Sequence, residues 1–354
     1  MKLFKEGPVE FYAHEGEITK KLPVFYNPAM QFDRDLTVSV LRAFGGKSYC
    51  DALSASGIRG LRAVKEAGFK DITLNDWNPK AAEAIKKNLA LNKAGGKVYN
   101  EDANLFLRRF KEEFDVVDID PFGPFMPYLE GAIGAVRNYG GLLCLTATDT
   151  APLCGVSINT CQRRYGARPV RTSYGKEIGL RILIGACARY AAKEDKAVKP
   201  LLCYNHRHYF RLFLRVDNGA GKADKMLGDM AYLQHCEKCD WRGYTAIDGF
   251  KENCPSCGSK PLWGGPLWAS EFADTGFVKK VKTEGRPHQK LLDLIMKEQA
   301  ITTPFYDLHH LFGLTKQESR KTSEIMDRIR AQGKKACLTH FCDTGIRSEV
   351  LPPI

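Results

Sequence analysis

The chain has 354 residues, 44% of them apolar and 27% charged, a composition that excludes a disordered protein and leaves room for two or three domains with a large core. No run approaches 18 uninterrupted apolar residues, and Met1 to Glu10 carries charges of both signs without an apolar centre, so neither a membrane span nor a secretory signal is indicated and a cytosolic location is expected. The net charge is +12, and between Cys161 and Arg215 13 Lys and Arg stand against 3 Asp and Glu, a local excess that points to a polyanion, nucleic acid before membrane.

In chain order, residues up to Pro28 are punctuated by Gly7, Pro8, Gly16 and Pro23 and read as an irregular or short-stranded extension. A helix is expected over 33–44, with Leu36, Val40 and Leu41 on one face and Gly45-Gly46 ending it. Strands at 48–53, 71–74, 97–99, 114–119 and 141–147 then alternate with helices at 58–66, 79–91, 104–110 and 127–136. A helix at 178–193 and strands at 199–206 and 209–216 close the series. Repeated βα units predict an α/β fold, a mostly parallel sheet with helices on both faces. Asp217 to Gly221 reads as a linker, dividing the chain into 1–218 and 219–354. Beyond it lie two close cysteine pairs, helices at 287–298, 306–312 and 316–331, and a strand at 336–341. Helix, turn, helix, strand is the order of a winged-helix or similar small nucleic-acid-binding unit.

Chemistry concentrates at the predicted strand ends, where open α/β sheets bind ligands. The first is Asp51-Ala52-Leu53-Ser54-Ala55-Ser56-Gly57-Ile58-Arg59-Gly60, whose small residues let a ligand approach the backbone ahead of a helix N-terminus. It is not a G-x-G-x-x-G loop, which disfavours a dinucleotide and suits a cofactor with a small carboxylate, such as S-adenosylmethionine. Asp76 ends the second strand, where it can accept both hydroxyls of a ribose. Asp102 ends the third, where it can accept from an adenine amine while the Ala103 N–H faces a ring nitrogen. Alone, either would be read as a helix cap. Arg34 is a candidate clamp for the cofactor carboxylate, and Arg59 a candidate contact to a ligand or RNA. The fourth end, Asp118-Ile119-Asp120-Pro121-Phe122-Gly123-Pro124, suits gripping a flat base by its exocyclic amine. A carboxylate accepts the N–H and Phe122 stacks on the base.

Cys236-x2-Cys239 and Cys254-x2-Cys257, separated by 14 residues, read as a structural zinc site with four thiolate ligands, a knuckle over about 233–262. His235 is a weaker rival ligand. Arg163, Arg164, Arg168 and Arg171 with Tyr165 and Tyr174, and His206 to Arg211 with Tyr209 and Phe210, fit contact with RNA phosphates and unstacked bases.

Val24 to Pro28, Asp51 to Gly60, Asp118 to Gly123, Thr146 to Asp149 with Ala151 to Gly155, and Thr339 to Phe341 with Thr344 to Ile346 together resemble the tRNA (guanine-26-N2)-dimethyltransferase family, archaeal type, over nearly the whole chain. The resemblance implies a Rossmann-like S-adenosylmethionine-dependent methyltransferase sheet followed by a smaller C-terminal α+β domain. It implies transfer of one or two methyl groups to N2 of a guanine in tRNA, with cofactor contacts from Arg34, Arg59, Asp76, Asp102 and Ala103. Asp120 would hold or deprotonate the amine, Asp118 would share that work, and Phe122 would stack on the guanine. Thr148, Asp149, Pro152 and Cys154 would lie near the flipped base, Cys154 as packing. The expected partner is tRNA, with no membrane, and the expected state a monomer. The rivals are an N2-guanine or N6-adenine methyltransferase acting elsewhere on nucleic acid, and a non-catalytic RNA-binding zinc protein.

Overall fold

The computed structural model describes residues 1–16 and 22–353. A hairpin opens the chain, β1 (Lys2–Glu6) and β2 (Val9–Ala13), turning at Gly7, whose φ is +56°. Residues 17–21 of the expected irregular extension lie outside the described residues. The alternating series follows as α1 (Gln31–Phe44), β3 (Ser48–Asp51), α2 (Ile58–Ala67), β4 (Asp71–Asn75), α3 (Pro79–Leu91), β5 (Lys97–Tyr99), α4 (Ala103–Arg108), β6 (Val116–Ile119), α5 (Leu129–Ala135) and β7 (Tyr139–Ala147). Local chemistry fixes several bounds. Asn78 caps α3 by accepting from the Lys80 N–H, with Pro79 as first helical residue.

Two short helices that the sequence reading did not predict come next, α6 (Thr150–Leu153) and α7 (Ile158–Tyr165). Then α8 (Gly175–Ala192), β8 (Lys196–His206) and β9 (Tyr209–Asn218) complete a seven-stranded sheet of order β5-β4-β3-β6-β7-β9-β8. Its first five strands run parallel; β9 is antiparallel to β7, and β8 to β9. The expected α/β sheet is thus present. The strand order reverses at β3, which lies between β4 and β6, and a crevice opens there at the strands' C-terminal ends.

The linker expected at 217–221 is corrected. β9 continues to Asn218, and α9 (Ala220–Leu227) begins two residues later with the Gly219 N–H bonded to the Asp195 carbonyl. Polar, glycine-rich residues serve here as a strand end and a helix start. The cysteine region is a three-stranded antiparallel sheet of β10 (Met230–His235), β11 (Arg242–Thr245) and β12 (Leu262–Trp268), in the order β11-β10-β12. β12 packs on α8: a Cβ on Gly185 would stand 3.2 Å from the Trp268 nitrogen. After α10 (Thr275–Val278) and α11 (Arg286–Glu298) comes a terminal unit of β13 (Tyr306–Asp307), α12 (Leu308–Thr315), α13 (Thr322–Ala331), β14 (Ala336–Leu338) and β15 (Gly345–Ser348). The helix expected from residue 306 begins as a strand. The one expected at 316 begins at Thr322, because Lys316 adopts φ +55° and ends α12. This unit has a small core of its own around Leu308, Leu311, Ile325 and Ile329, whereas the main core runs from the hairpin through the large sheet to Leu267 and Ile295.

Candidate active site

The crevice at the reversal of strand order holds a cavity of about 520 Å³. The predicted loop at Asp51 to Gly60 forms one wall. Ala55 and Gly57 take positive φ (+50° and +78°), and the Ala55 N–H donates to Asp76 Oδ2 at 2.9 Å, tying the loop to the end of β4. A Cβ on Gly60 would overlap Leu74, so only glycine lets α2 lie this close to the sheet. Asp51, Arg59, Asp76, Asp120 and Phe122 all line the cavity, which brings together residues from the first, second and fourth predicted strand ends.

Asp120 and Arg59 form an ion pair on the cavity wall. Asp120 lies past the last residue of β6, and its side chain retains 24% exposure. Its Oδ2 accepts from Arg59 Nε at 2.8 Å and Nη2 at 2.5 Å, while Oδ1 takes part in no hydrogen bond among the described residues. Arg59 Nη2 also donates to Asp33 Oδ2 at 2.7 Å. Burial works against the Asp33 charge, but the guanidinium groups of Arg211 and Arg59 hold its carboxyl below the usual range. Asp51 goes the other way: burial, reinforced by Asp118, pushes it up to about 8, so it keeps its proton at neutral pH. Burial also raises Asp76, against the two backbone N–H groups that it accepts.

The structure corrects the role expected of Asp118 and gives other predicted residues partners within the chain. Asp118 does not reach the cavity. It is fully buried; Oδ1 accepts from Arg211 Nη1 at 2.9 Å, and Oδ2 from Arg211 Nη2 at 2.7 Å and the Tyr49 hydroxyl at 3.0 Å. It is an ion-pair anchor behind the site. Arg34 lines the cavity, yet its Nε and Nη2 are held by Glu6 at 2.7 and 2.6 Å. Asp102 and Ala103 are absent from the cavity wall. Asp102 Oδ1 caps α4 through the Asn104 and Leu105 N–H groups, although Asp102 is near enough, after burial, to raise the hydroxyl of the cavity residue Tyr128. Asp149 is occupied by Arg164 at 3.0 Å and the Tyr165 hydroxyl at 2.5 Å. Thr148 does line the cavity, its hydroxyl accepting from the Gly123 N–H at 2.7 Å. Burial pushes the Cys154 thiol up to about 11, which suits packing and not nucleophilic work.

Sequence reasoning missed Trp77, an exposed ring on the cavity wall directly after Asp76, and Phe25, whose ring meets Phe122 edge-on at 4.4 Å. The position of Trp77 beside a strand-end carboxylate was the available signal. The basic segment also shrinks as an RNA surface. Arg181 and Arg211 are buried ion-pair residues, and Lys196 donates to the Ile133 carbonyl. Tyr165, Tyr174, Tyr209 and Phe210 are core residues, while Arg163, Arg164, Arg171 and Arg207 stay exposed.

The cavity fits a ligand of mixed charge. Three carboxylates, Asp51, Asp76 and Asp120, suit a cationic centre, and a cation beside Asp51 would favour its ionised form. Arg59 Nη1 is buried without a hydrogen-bond partner, as is Ser56 Oγ, so donors remain for an anionic group. A sulfonium cofactor that also carries an ammonium and a carboxylate matches this set.

The four cysteine sulfurs lie within 4.8 Å of one another. The Cys236–Cys257 and Cys239–Cys254 Sγ separations, 3.4 and 3.5 Å, are far beyond a disulfide bond of about 2.05 Å. They are close to the edge of about 3.8 Å of a tetrahedron with zinc–sulfur bonds of about 2.3 Å. His235, the weaker rival ligand, is buried. Metal analysis of the purified chain should return one zinc per molecule, and stripping it with a chelator should lower the melting temperature; a metal-free, equally stable protein would refute the site.

The family model described as N2,N2-dimethylguanosine tRNA methyltransferase matches residues 7–351. The tRNA (guanine(26)-N(2))-dimethyltransferase of Methanothermobacter thermautotrophicus is 38% identical over 94% of this chain and 92% of its own length. The protein of the same name from Pyrobaculum aerophilum is 39% identical over 98% and 93%. The solved complex of Trm1 from Pyrococcus horikoshii with S-adenosyl-L-methionine superposes with a TM-score of 0.89 at 33% identity, covering 99% of this chain and 97% of that one.

Proposed function

The chain belongs to the N2,N2-dimethylguanosine tRNA methyltransferase family, and from that premise we propose how its residues divide the work. It is an S-adenosylmethionine-dependent enzyme that methylates the exocyclic N2 of guanine 26 in tRNA. Residues 1–218 carry the chemistry and residues 219–354 bind RNA around a structural zinc. No helix among the described residues is long and apolar enough to cross a membrane, and we place the enzyme in the cytoplasm as a monomer.

Bound in the cavity, S-adenosylmethionine would supply an electrophilic methyl group, its methyl–sulfur bond breaking as the new bond to nitrogen forms and the electron pair leaving on the thioether sulfur of S-adenosylhomocysteine. Asp76 takes the ribose hydroxyls, Asp102 and the Ala103 N–H border the adenine end beside Tyr128, and Arg34 and Arg59 meet the carboxylate. The single observation that carries the reading is Asp120: one oxygen is locked by Arg59 and the other is free at an open mouth beside Phe122. The amine lone pair of guanine is conjugated into the base and is a poor nucleophile. Asp120 Oδ1 accepts an N–H of that amine and turns the lone pair out of conjugation as the new N–C bond forms. As the nitrogen becomes positive, Oδ1 receives the proton and passes it to solvent through its exposed edge. Phe122, braced by Phe25, stacks on the guanine, which has left its own stack. One N–H remains after the first transfer, so the same oxygen can serve a second.

The test is mass spectrometry of nucleosides from an unmodified tRNA transcript incubated with enzyme and labelled cofactor. N2-methylated guanosine is expected from this transcript and not from one in which guanine 26 is replaced by adenine, and methyl label on adenosine, or on no nucleoside, overturns the reading. Binding of tRNA should also weaken steeply with salt, because exposed Arg163, Arg164, Arg171 and Arg207 displace counterions from phosphates.

A further inference from the structure

Three aromatic rings crowd one face of the zinc-binding sheet. Tyr232 on β10, Trp263 on β12 and Phe250 in the connection between β11 and β12 have centroids 5.4, 6.0 and 6.3 Å apart. Tyr232 and Gln234 alternate to the same side of β10, and Trp263 is the register partner of Gln234. The other side is filled by buried Leu233 and Leu267, so the rings are not needed there for the core. Trp263 stays 44% exposed and Phe250 37%.

The patch is held in place from beneath. The buried Gln234 amide donates to the Lys251 carbonyl at 2.7 Å and accepts its N–H at 2.9 Å, which fixes the backbone next to Phe250. The Arg168 guanidinium lies 5.2 Å from the Trp263 ring centre. Its backbone is stitched to Gly265 by two hydrogen bonds, of 2.8 and 2.7 Å. A cation over a half-exposed indole, beside two further rings, is the arrangement that takes up an unstacked base and its phosphate. The loop that carries Phe250 holds Asp248, Lys251 and Glu252, so the cation placed over the indole is Arg168.

One unbroken stretch of chain joins this patch to the cavity. Thr148 lines the cavity; Asp149 is bonded to Arg164 and Tyr165 at the end of α7; three residues on, Arg168 reaches Trp263. Exposed Arg163 and Arg164 lie on the same stretch, and Arg171 just beyond it. We propose that the Trp263, Phe250 and Tyr232 patch is a second nucleic-acid contact, stacking a base of the bound tRNA other than the target guanine while Arg168 meets the adjoining phosphate. The inference rests on the tRNA reading above and adds a site to it.

The test measures the Kd of an unmodified tRNA transcript by fluorescence anisotropy for the full-length wild type, Trp263→Ala, Trp263→Phe, Phe250→Ser and Arg168→Gln. S-adenosylmethionine binding and zinc content are measured alongside. Loss of one base stack should raise Kd about tenfold in Trp263→Ala, with the salt slope unchanged. Trp263→Phe should restore most of the affinity, and Arg168→Gln should reduce the salt slope by about one. Wild-type affinity in Trp263→Ala, Phe250→Ser and Arg168→Gln overturns the proposal, including the case in which those variants alter only self-association or capture of a protein. If Trp263→Ala loses zinc, Phe250→Ser and Arg168→Gln decide the matter. Failure of the wild type to bind tRNA at all would instead sink the functional reading on which the patch depends.

Discussion

Asp120→Asn should lower the single-turnover rate of methyl transfer by about 10²- to 10⁴-fold, the range of a lost acid–base or orienting group, while S-adenosylmethionine binds within a few-fold of wild type. The substitution keeps the shape and removes the charge. In the native site Arg59 holds Oδ2 and leaves Oδ1 as the free acceptor. An amide satisfied in the same way must offer its oxygen to Arg59 and turn its NH2 toward the incoming amine, so a donor faces a donor. The amine then loses both its orientation and its proton acceptor. Arg59 keeps Asp33 as a partner at 2.7 Å, so the buried cation is not stranded and the fold should survive. The rate is to be measured at saturating tRNA, to separate chemistry from binding, and cofactor affinity by calorimetry. A rate within tenfold of wild type would remove Asp120 from the reaction. Loss of cofactor binding together with the rate would make its task the support of Arg59.

Much of this site was legible in the sequence because parallel strands deliver their C-terminal ends to one edge. Knowing that 48–53, 71–74 and 114–119 are strands is enough to bring Asp51, Asp76 and Asp120 together, and all three line the cavity. What was not legible is which carboxylate faces water. Asp118 and Asp120 stand two residues apart, and alternation would put both on one side. β6 ends at Ile119, however, and Arg211, 93 residues away in sequence, claims the first. The same long-range pairing dissolved part of the basic segment, since a charge count cannot tell Arg211 from Arg207. The linker at 217–221 was misread for a related reason: glycine and asparagine mark a chain that turns, and here it turns between a strand and a helix on one continuous core. The cysteine pairs were legible outright, because four thiolates at that spacing have few other uses, while the three strands around them carry too little alternation to be seen.

Arg347→Met should destabilise the whole chain by about 3–5 kcal/mol, the cost of breaking a buried ion pair from one side. Arg347 on β15 is fully buried between two carboxylates. Its Nη1 donates to Glu177 on α8 at 2.9 Å and to the Thr303 carbonyl at 2.7 Å, and its Nη2 to Glu298 on α11 at 3.1 Å. Glu177 also receives Arg181 at 2.9 Å and the Phe305 N–H at 3.0 Å. One guanidinium therefore ties the terminal unit to the long helix of the methyltransferase sheet. Methionine fills similar space but leaves Glu298 with fewer donors. Burial alone would raise Glu298, yet His340 and Arg347 hold it at about 2, below an ordinary value of 4.5. A depressed folded pKa contributes stability that is present above about 4.5 and is lost as pH falls toward 2, so the wild type should weaken across that window. The variant, with a higher Glu298 pKa, should start lower and lose less. Thermal melts of the full chain at pH 7 and at about pH 3, inside that window, measure both quantities. A single transition moving downward in the variant is expected, because the core is shared between the sheet and the C-terminal part. Two transitions, with the sheet's own melting unmoved, would mean that residues 1–218 fold independently and that the Arg347 pairs hold together only what lies beyond them.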